Sequence, residues 1–160
     1  PRHCGGGHAG CGSGRQEAGK KRQHFTGRMR CGPARIIKRM QGLHLTADLH
    51  GCPLDRPVMS DVNALRALCI AAVAGAGLEP VGELFHRFAP VGITGVVLLA
   101  ESHLAVHTWP ELAAVTLDVY VCNFGADNSQ RAQQLLAALI EAFAPAIVHR
   151  NALQRGAAAQ

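Results

Sequence analysis

The sequence predicts an α+β fold, a two-layer sandwich in which two helices cover one face of a mostly antiparallel sheet. Apolar and polar residues alternate along several short segments, which is the pattern of strands with one buried face. Two longer segments instead repeat apolar residues with the period of amphipathic helices. The elements follow one another in the order β-α-β-β-β-β-α-β. Two helices with one apolar stripe each are enough to cover one face of a sheet.

The first predicted strand begins at Gly42. Its apolar residues are Leu43, Leu45, Ala47 and Leu49. A helix follows, with Ser60 or Asp61 as its N-cap, because side-chain oxygens accept hydrogen bonds from the free amides of a first helical turn. Gly77 and Pro80 are expected to end this helix. Its apolar stripe consists of Val62, Leu65, Cys69, Ala72, Val73 and Ala76.

Four strand-like segments come next, and the second predicted helix follows the last of them. The strands are expected at residues 81–88, 93–100, 103–108 and 114–122. The helix is capped by Asp127 or Asn128 and ends at Pro145. Its apolar residues are Ala132, Leu135, Leu136, Leu139, Ile140 and Phe143. A short strand at residues 146–150 closes the predicted domain.

Polar residues collect on the sheet face that the helices leave uncovered. Odd and even positions of residues 114–122 point to opposite faces, because side chains alternate along a strand. The polar, even positions are Thr116, Asp118, Tyr120 and Cys122. We expect His103 and His107 on the same face. A face that is neither fully polar nor covered by a helix predicts a second copy of the chain, or a ligand, against it.

Charge divides the 160-residue chain into two parts. Residues 1–39 contain ten Lys and Arg and one acidic residue, a net charge of +9. Residues 40–160 contain six Lys and Arg and ten acidic residues, a net charge of −4. We expect a disordered basic tail, a transit peptide or a non-native extension before Met40, and one folded domain at residues 40–160. The mildly acidic domain does not favour nucleic acid as a partner.

No apolar run approaches the ~20 residues of a membrane helix. Six cysteines without a CxxC pair favour a reduced, cytoplasmic protein.

The residues that carry chemistry are concentrated between residues 99 and 111. Glu101, Ser102 and His103 interrupt two apolar strands at the point where a tight connection is expected. A serine in that place is compatible with an ordinary turn residue. His107 is likewise compatible with a hydrogen-bonded histidine on a sheet face. From the residues alone, the structural and the catalytic interpretation both stay open.

The most specific signal is a set of motifs whose joint spacing is characteristic. They are Phe85-His86-Arg87-Phe88, Gly92-Ile93-Thr94-Gly95, Glu101-Ser102-His103, His107-Thr108-Trp109-Pro110-Glu111, Asp118 and Cys122. Together they resemble the bacterial and archaeal S-adenosylmethionine decarboxylases, from Gly42 to Cys122 and more loosely to Arg155-Gly156. The resemblance implies a lyase that converts S-adenosylmethionine to CO2 and decarboxylated S-adenosylmethionine, the aminopropyl donor in spermidine biosynthesis.

The resemblance also implies that the chain is a zymogen that cuts itself between Glu101 and Ser102. The Ser102 hydroxyl attacks the Glu101 carbonyl, the ester that forms is eliminated, and hydrolysis with loss of ammonia leaves a pyruvoyl group in place of Ser102. His107 corresponds to the proton acceptor of this processing. Thr94 stands where the family usually has serine, so the processing rate is expected to depend on it. The cut leaves a β chain, residues 40–101, and an α chain, residues 102–160.

The same resemblance assigns the residues that act on the substrate. The pyruvoyl group forms a Schiff base with the substrate amine and takes up the electrons that CO2 leaves behind. Cys122 corresponds to the proton donor, Glu111 to the residue that binds the ribose hydroxyls, and Phe88 to the aromatic that stacks on adenine. Trp109 is interpreted as a packing residue. The family precedent is a homodimer of αβ units, and no metal ion is expected because no ligand cluster is visible in the sequence.

Two other functions would keep some of these features. A pyruvoyl-dependent ornithine or arginine decarboxylase would use the same scaffold, and a non-catalytic paralogue would bind and regulate a partner. Glu111 and Phe88 favour the adenosyl substrate, since an amino acid without a nucleoside needs neither. The complete set of processing and catalytic residues argues against a regulator. Leu112, Ala113 and Ala114 stand where the family commonly has Tyr-Gly-Tyr, which is expected to change either the pocket or the dimer surface.

Overall fold

A computed structural model describes residues 41–156, and their architecture is the two-layer α+β sandwich that the sequence predicts. The strands are β1 (Gly42–His50), β2 (Pro80–Arg87), β3 (Ile93–Leu99), β4 (Ser102–Trp109), β5 (Ala114–Cys122) and β6 (Ile147–Arg155). The helices are α1 (Val62–Gly75) and α2 (Ser129–Phe143). The basic segment expected at residues 1–39 lies outside the described residues. Within residues 41–156, neither helix is long and apolar enough to cross a membrane.

The six strands form one antiparallel sheet in the order β2-β3-β4-β5-β1-β6. Strands β2 to β5 follow one another as a meander, and β1 is placed beside β5 at the far side of it. Strands β4 and β5 therefore lie in the interior of the sheet, where both neighbours fix their positions. A short 3-10 turn (Pro110–Leu112) connects these two strands.

The last strand is longer than the sequence predicts. Strand β6 pairs with the whole of β1, from Ile147 opposite His50 to Arg155 opposite Gly42, whereas the predicted strand ended at residue 150. All side chains of β6 except Val148 are exposed. An edge strand with so little burial has no alternation of apolar and polar residues, so its sequence pattern indicated only the first part of it.

Each helix begins where the sequence predicts a cap. The Asp61 carboxylate accepts hydrogen bonds from the amides of Asn63 and Ala64, at 2.7 and 3.2 Å. At the start of α2, the Asp127 carboxylate accepts a hydrogen bond from the Ser129 amide at 2.9 Å. These bonds satisfy amides that have no partner within a helix. Hydrogen bonds from the Ser129 side chain and then from its amide lower the pKa of the Asp127 carboxyl.

The two faces of the sheet differ in composition. The helices and the covered face enclose an aliphatic core, whose largest fully buried side chains include Phe143, Leu49, Met59, Leu65 and Leu104. All six predicted apolar residues of α2 are buried. The uncovered face carries every histidine that the structure describes. These are His44, His50, His86, His103, His107 and His149.

Candidate active site

The bond that the sequence analysis expects to be cut lies in the tight turn between β3 and β4. Leu99 pairs with Ser102, so Ala100 and Glu101 form the whole turn. Glu101 has a φ of 56°, which is the left-handed region that costs a residue with a Cβ atom about 1–2 kcal/mol. The peptide bond between Glu101 and Ser102 is therefore part of a strained turn, and the Glu101 side chain is exposed.

The end of β5 holds the Ser102 hydroxyl in place. The backbone amide of Cys122 donates a hydrogen bond to Ser102 Oγ at 3.0 Å. Cys122 also lines a cavity of about 400 Å³ together with Glu101, Tyr120 and Phe124. We call Glu101, Ser102 and Cys122 the cleavage end. The structure thus places the expected nucleophile directly after the scissile peptide bond and beside the backbone of Cys122, the expected proton donor.

The three free cysteines of the described residues are Cys52, Cys69 and Cys122. Burial raises the pKa of the Cys69 thiol to about 12, and burial also raises the pKa of the Cys52 thiol. Both belong to the hydrophobic core. Cys122 is only 8% exposed, yet it belongs to the uncovered face and lines a cavity. Its location therefore agrees with the sequence-based interpretation that it is not an ordinary core cysteine.

A second group of expected site residues lies at the opposite end of β4. Thr94 and His107 are paired across β3 and β4, and Thr94 Oγ1 shares a hydrogen bond with His107 Nδ1 at 2.9 Å. Both line a cavity of about 410 Å³ together with Phe88 and Glu111. We call Phe88, Thr94, His107 and Glu111 the recognition end. Threonine in the usual serine position therefore still presents its hydroxyl to His107.

Trp109 also belongs to the cavity of the recognition end. It is 45% exposed and lines the cavity beside Glu111, so within one chain it contributes surface that a ligand or a second copy can contact, and its interpretation as a packing residue stays a prediction. The sequence signal was its position next to the Pro110-Glu111 pair, directly after a strand. Because an aromatic side chain is compatible with both roles, that signal did not decide between them.

Two close contacts explain motif residues for which the sequence gave no role. Phe85 pairs with Gly95 across β2 and β3, and a Cβ atom at position 95 would overlap the Phe85 ring. Only glycine therefore allows this ring to pack there. On β4, the buried Thr108 accepts a hydrogen bond from the Ile93 amide at 3.0 Å. Both contacts fix strand β3, which carries Thr94 at the recognition end, against its neighbours β2 and β4.

The cleavage end and the recognition end do not meet within one chain. Ser102 and His107 are five positions apart on β4, which corresponds to about 16 Å at the rise of an extended strand. An odd spacing also directs the two side chains to opposite faces of the sheet. The structure therefore joins Ser102 to Cys122, and Thr94 to His107, but it does not join the two pairs to each other.

The uncovered face also contains a cluster that the sequence analysis missed. His44 Nε2 lies 2.8 Å from both carboxylate oxygens of Asp118, and His103 Nε2 lies 3.1 Å from Asp118 Oδ1. These are residue types that bind metal ions, and one ligand atom of each lies within 4.8 Å of the others. No such cluster was visible in the sequence, and the expectation that the protein holds no metal ion stays a prediction. The residues belong to β1, β4 and β5, so only the strand order reveals them.

Comparison with known proteins gives consistent results. A family model described as S-adenosylmethionine decarboxylase matches residues 43–156. The S-adenosylmethionine decarboxylase proenzyme of Moorella thermoacetica is 35% identical over 118 residues, which cover 74% of this chain and 90% of the relative. The proenzyme of Pyrococcus furiosus is 36% identical over 115 residues, 72% of this chain and 78% of the relative. The crystal structure of the adenosylmethionine decarboxylase from Aquifex aeolicus has a TM-score of 0.67 and 34% identity, and the match covers 76% of this chain and 96% of that one.

Proposed function

The chain belongs to the S-adenosylmethionine decarboxylase family, and we propose that it decarboxylates S-adenosylmethionine after cutting itself between Glu101 and Ser102 to form a pyruvoyl group. The observation that carries this proposal is the geometry of the cleavage end. A strained residue precedes a serine whose hydroxyl is already held by a backbone amide. The product would be decarboxylated S-adenosylmethionine, the aminopropyl donor for spermidine.

The residues of the cleavage end fit the formation of a pyruvoyl group. Attack of Ser102 Oγ on the Glu101 carbonyl closes a five-membered ring, and collapse of that ring exchanges the amide for an ester. When the bond between Cβ and Oγ later breaks, the former Oγ becomes part of the Glu101 carboxylate. The Cys122 amide already donates to this oxygen, so it is placed to stabilise the negative charge that develops there.

Once formed, the pyruvoyl group supplies a ketone that captures the substrate amine and accepts the electron pair left by CO2. The chain must then deliver a proton to the substrate carbon. The Cys122 side chain borders the cavity beside the cleavage end, which makes it the candidate donor. We therefore expect a Cys122→Ala chain to be cut normally and to turn over slowly.

We propose that a complete active site forms between two copies of the chain. The cleavage end of one copy supplies Ser102 and Cys122, and the recognition end of the other supplies Thr94 and His107. A two-fold axis repeats this arrangement, so a dimer contains two sites. The uncovered face supports such an association, because it exposes large apolar side chains between its polar ones. These include Leu84, Leu98, Trp109, Ile147 and Leu153.

The recognition end suits a nucleoside better than a simple amino acid. Phe88 is 50% exposed, so its ring is available to stack on adenine or to face the sulfonium cation. The Glu111 carboxylate can accept hydrogen bonds from both ribose hydroxyls. The cavities at the two ends measure about 410 and 400 Å³, each near the lower limit of small-molecule sites. Ornithine or arginine would use neither Phe88 nor Glu111, and a non-catalytic regulator would not need the cleavage end.

The setting that we propose is the cytoplasm. Cys52, Cys69 and Cys122 are free thiols, and free thiols persist where the surroundings are reducing. No metal ion is part of the proposed reaction, because the residues of both ends supply the nucleophile, the proton acceptor and the proton donor.

Intact mass spectrometry of the purified protein tests the cut. We expect two chains, the second beginning at position 102 and lighter by one ammonia than a peptide that begins with serine. The matched control is Ser102→Ala, which should remain one uncut chain without activity. A wild-type chain that stays whole, with an ordinary serine at position 102, would rule out the proposed function.

Carboxyl-labelled substrates test the specificity. The cut protein is incubated separately with S-adenosylmethionine, ornithine and arginine, and the released CO2 is counted. We expect label from S-adenosylmethionine. Release from ornithine or arginine alone would replace our assignment with the alternative decarboxylase, and release from none of them by a fully cut protein would favour the regulatory paralogue.

A further inference from the structure

The centre of the uncovered face contains a carboxylate between two imidazoles. Asp118 lies on β5, His44 on the neighbouring β1, and His103 on the neighbouring β4. Both histidines are within hydrogen-bond distance of the carboxylate. The Tyr120 ring packs beside both histidines, with ring centroids 5.9 Å from His44 and 5.7 Å from His103. None of these contacts is used by the mechanism described above.

Arg155 indicates where the His44 ring carries its hydrogen. Arg155 Nη1 is 3.3 Å from His44 Nδ1, and a guanidinium group can only donate. In the neutral ring, Nδ1 therefore accepts, and Nε2 carries the hydrogen that it donates to Asp118. A metal ion would instead require the lone pair of Nε2, and the hydrogen would then sit on Nδ1, facing a donor. The polarity of the network thus favours a hydrogen-bonded carboxylate over a metal site.

The network ties together the two strands whose ends form the cleavage end. Strand β4 begins with Ser102 and His103, and strand β5 carries Asp118 and ends with Cys122. The bond between His103 and Asp118 therefore crosses from one strand to the other, next to the reacting residues. On the other side of Asp118, His44 of β1 bonds the carboxylate and Arg155 of β6 bonds His44. Together they hold Asp118 in position.

We propose that Asp118 is a positioning residue that keeps the new chain end in place after the cut. This inference rests on the proposed function. Before the cut, residue 102 is held on both sides, by Glu101 and by His103. Afterwards it is a chain terminus, and termini fray unless they are tied down. Besides the backbone pairing of β4 with its neighbours, the His103 side chain is an anchor next to residue 102, and through Asp118 it fixes the spacing between residue 102 and Cys122.

A comparison of cut and uncut protein tests this role. Asp118→Asn is made in the wild-type chain and in the uncut Ser102→Ala chain, and the melting temperature of all four proteins is measured. We expect the substitution to lower the melting temperature by roughly 5 °C more in the cut protein than in the uncut protein, because the uncut chain still holds residue 103 through Glu101. The kcat of the cut protein should fall about tenfold or more, with KM nearly unchanged, since the reacting groups are misplaced.

Three further variants sharpen the test. Asp118→Ala removes both oxygens, whereas asparagine keeps one acceptor, so alanine should have the larger effect. His103→Leu breaks the same bond from the other side and should reproduce the difference even if an Asp118 variant fails to fold. Asp48→Asn changes an exposed carboxylate of the same sheet face and should lower both melting temperatures equally or not at all.

The outcomes separate this inference from the proposed function. If the wild-type chain is not cut, intact mass shows it at once, and both proposals fail. If the wild-type chain is cut but Asp118→Asn and His103→Leu destabilise cut and uncut protein equally, only the positioning role is overturned. A larger loss in the cut protein, accompanied by lower kcat, supports it.

Discussion

The two ends of β4 differ in which part of the chain supplies the functional groups. At the cleavage end the backbone dominates: Glu101 has left-handed geometry, and the Cys122 amide holds the serine hydroxyl. At the recognition end side chains dominate, because Phe88, His107 and Glu111 converge on one cavity. Cutting a peptide requires the geometry of one turn, whereas binding a nucleoside requires a surface. One sheet presents the two ends at opposite ends of β4, which is why we propose that two copies combine them.

The largest expected effect tests whether the two ends work together. His107→Ala should slow the cut between Glu101 and Ser102 about a hundredfold or more, because the hydroxyl loses its proton acceptor. The fraction of cut chain is followed by intact mass from the moment of synthesis. His149→Ala is the control, since this exposed histidine lies on the same face but on the edge strand β6. Equal rates for both variants would show that the recognition end takes no part in the cut.

A smaller effect tests whether the recognition end has a task of its own. Glu111→Gln should lower kcat/KM for S-adenosylmethionine about tenfold to a hundredfold, because hydrogen bonds from the ribose to a charged acceptor are lost. The fraction of cut chain should not change. Glu79→Gln, at an exposed position after α1, serves as the control. If Glu111→Gln instead blocked the cut, Glu111 would take part in processing together with His107 and would not be a substrate-binding residue alone.

The smallest effect compares backbone strain near each end. Glu101 and Ala113 both have positive φ, 56° and 46°, and glycine adopts such angles without the cost of a Cβ atom. In the uncut Ser102→Ala background, either glycine substitution should raise the free energy of unfolding by about 1 kcal/mol, measured by denaturant titration. In the chain that cuts, Glu101→Gly should also slow the cut roughly fivefold. The reason is that about 1 kcal/mol of strain no longer favours the reaction, and 1.36 kcal/mol corresponds to a factor of ten in rate. Ala113→Gly should not slow the cut. If both substitutions slowed it, strain at Glu101 would have no special role.

The fold was predictable because burial leaves a periodic trace in the sequence. The apolar stripe of α2 and the alternation along β5 are both confirmed residue by residue. The end of β6 was not predictable, because an exposed edge strand is constrained by hydrogen bonds to β1 rather than by burial. Helix α2 ends at Phe143, and the residue that follows, Ala144, has a φ of 46° that no sequence pattern indicates.

The sequence predicts the residues of the candidate site but not how the fold arranges them. The motifs identified Ser102 and His107, and the strand rise alone separates them by about 16 Å. Because the roles of both residues were inferred from the resemblance to the family, the sequence analysis did not consider this separation. The contact of His44 and His103 with Asp118 depends on the strand order β4-β5-β1, which joins segments distant in sequence. Such contacts are set by the sheet and leave no local trace.

The central claim, that each active site combines two copies, is tested most directly by producing Ser102→Ala and His107→Ala chains together. The first has an intact recognition end and the second an intact cleavage end, so only a mixed dimer contains a complete site. With random pairing, about half of the His107→Ala chains belong to mixed dimers. Intact mass should therefore show about half of the His107→Ala chains cut, whereas the same chains produced alone remain largely whole. If co-production leaves the His107→Ala chains as uncut as they are alone, the site is not shared between copies.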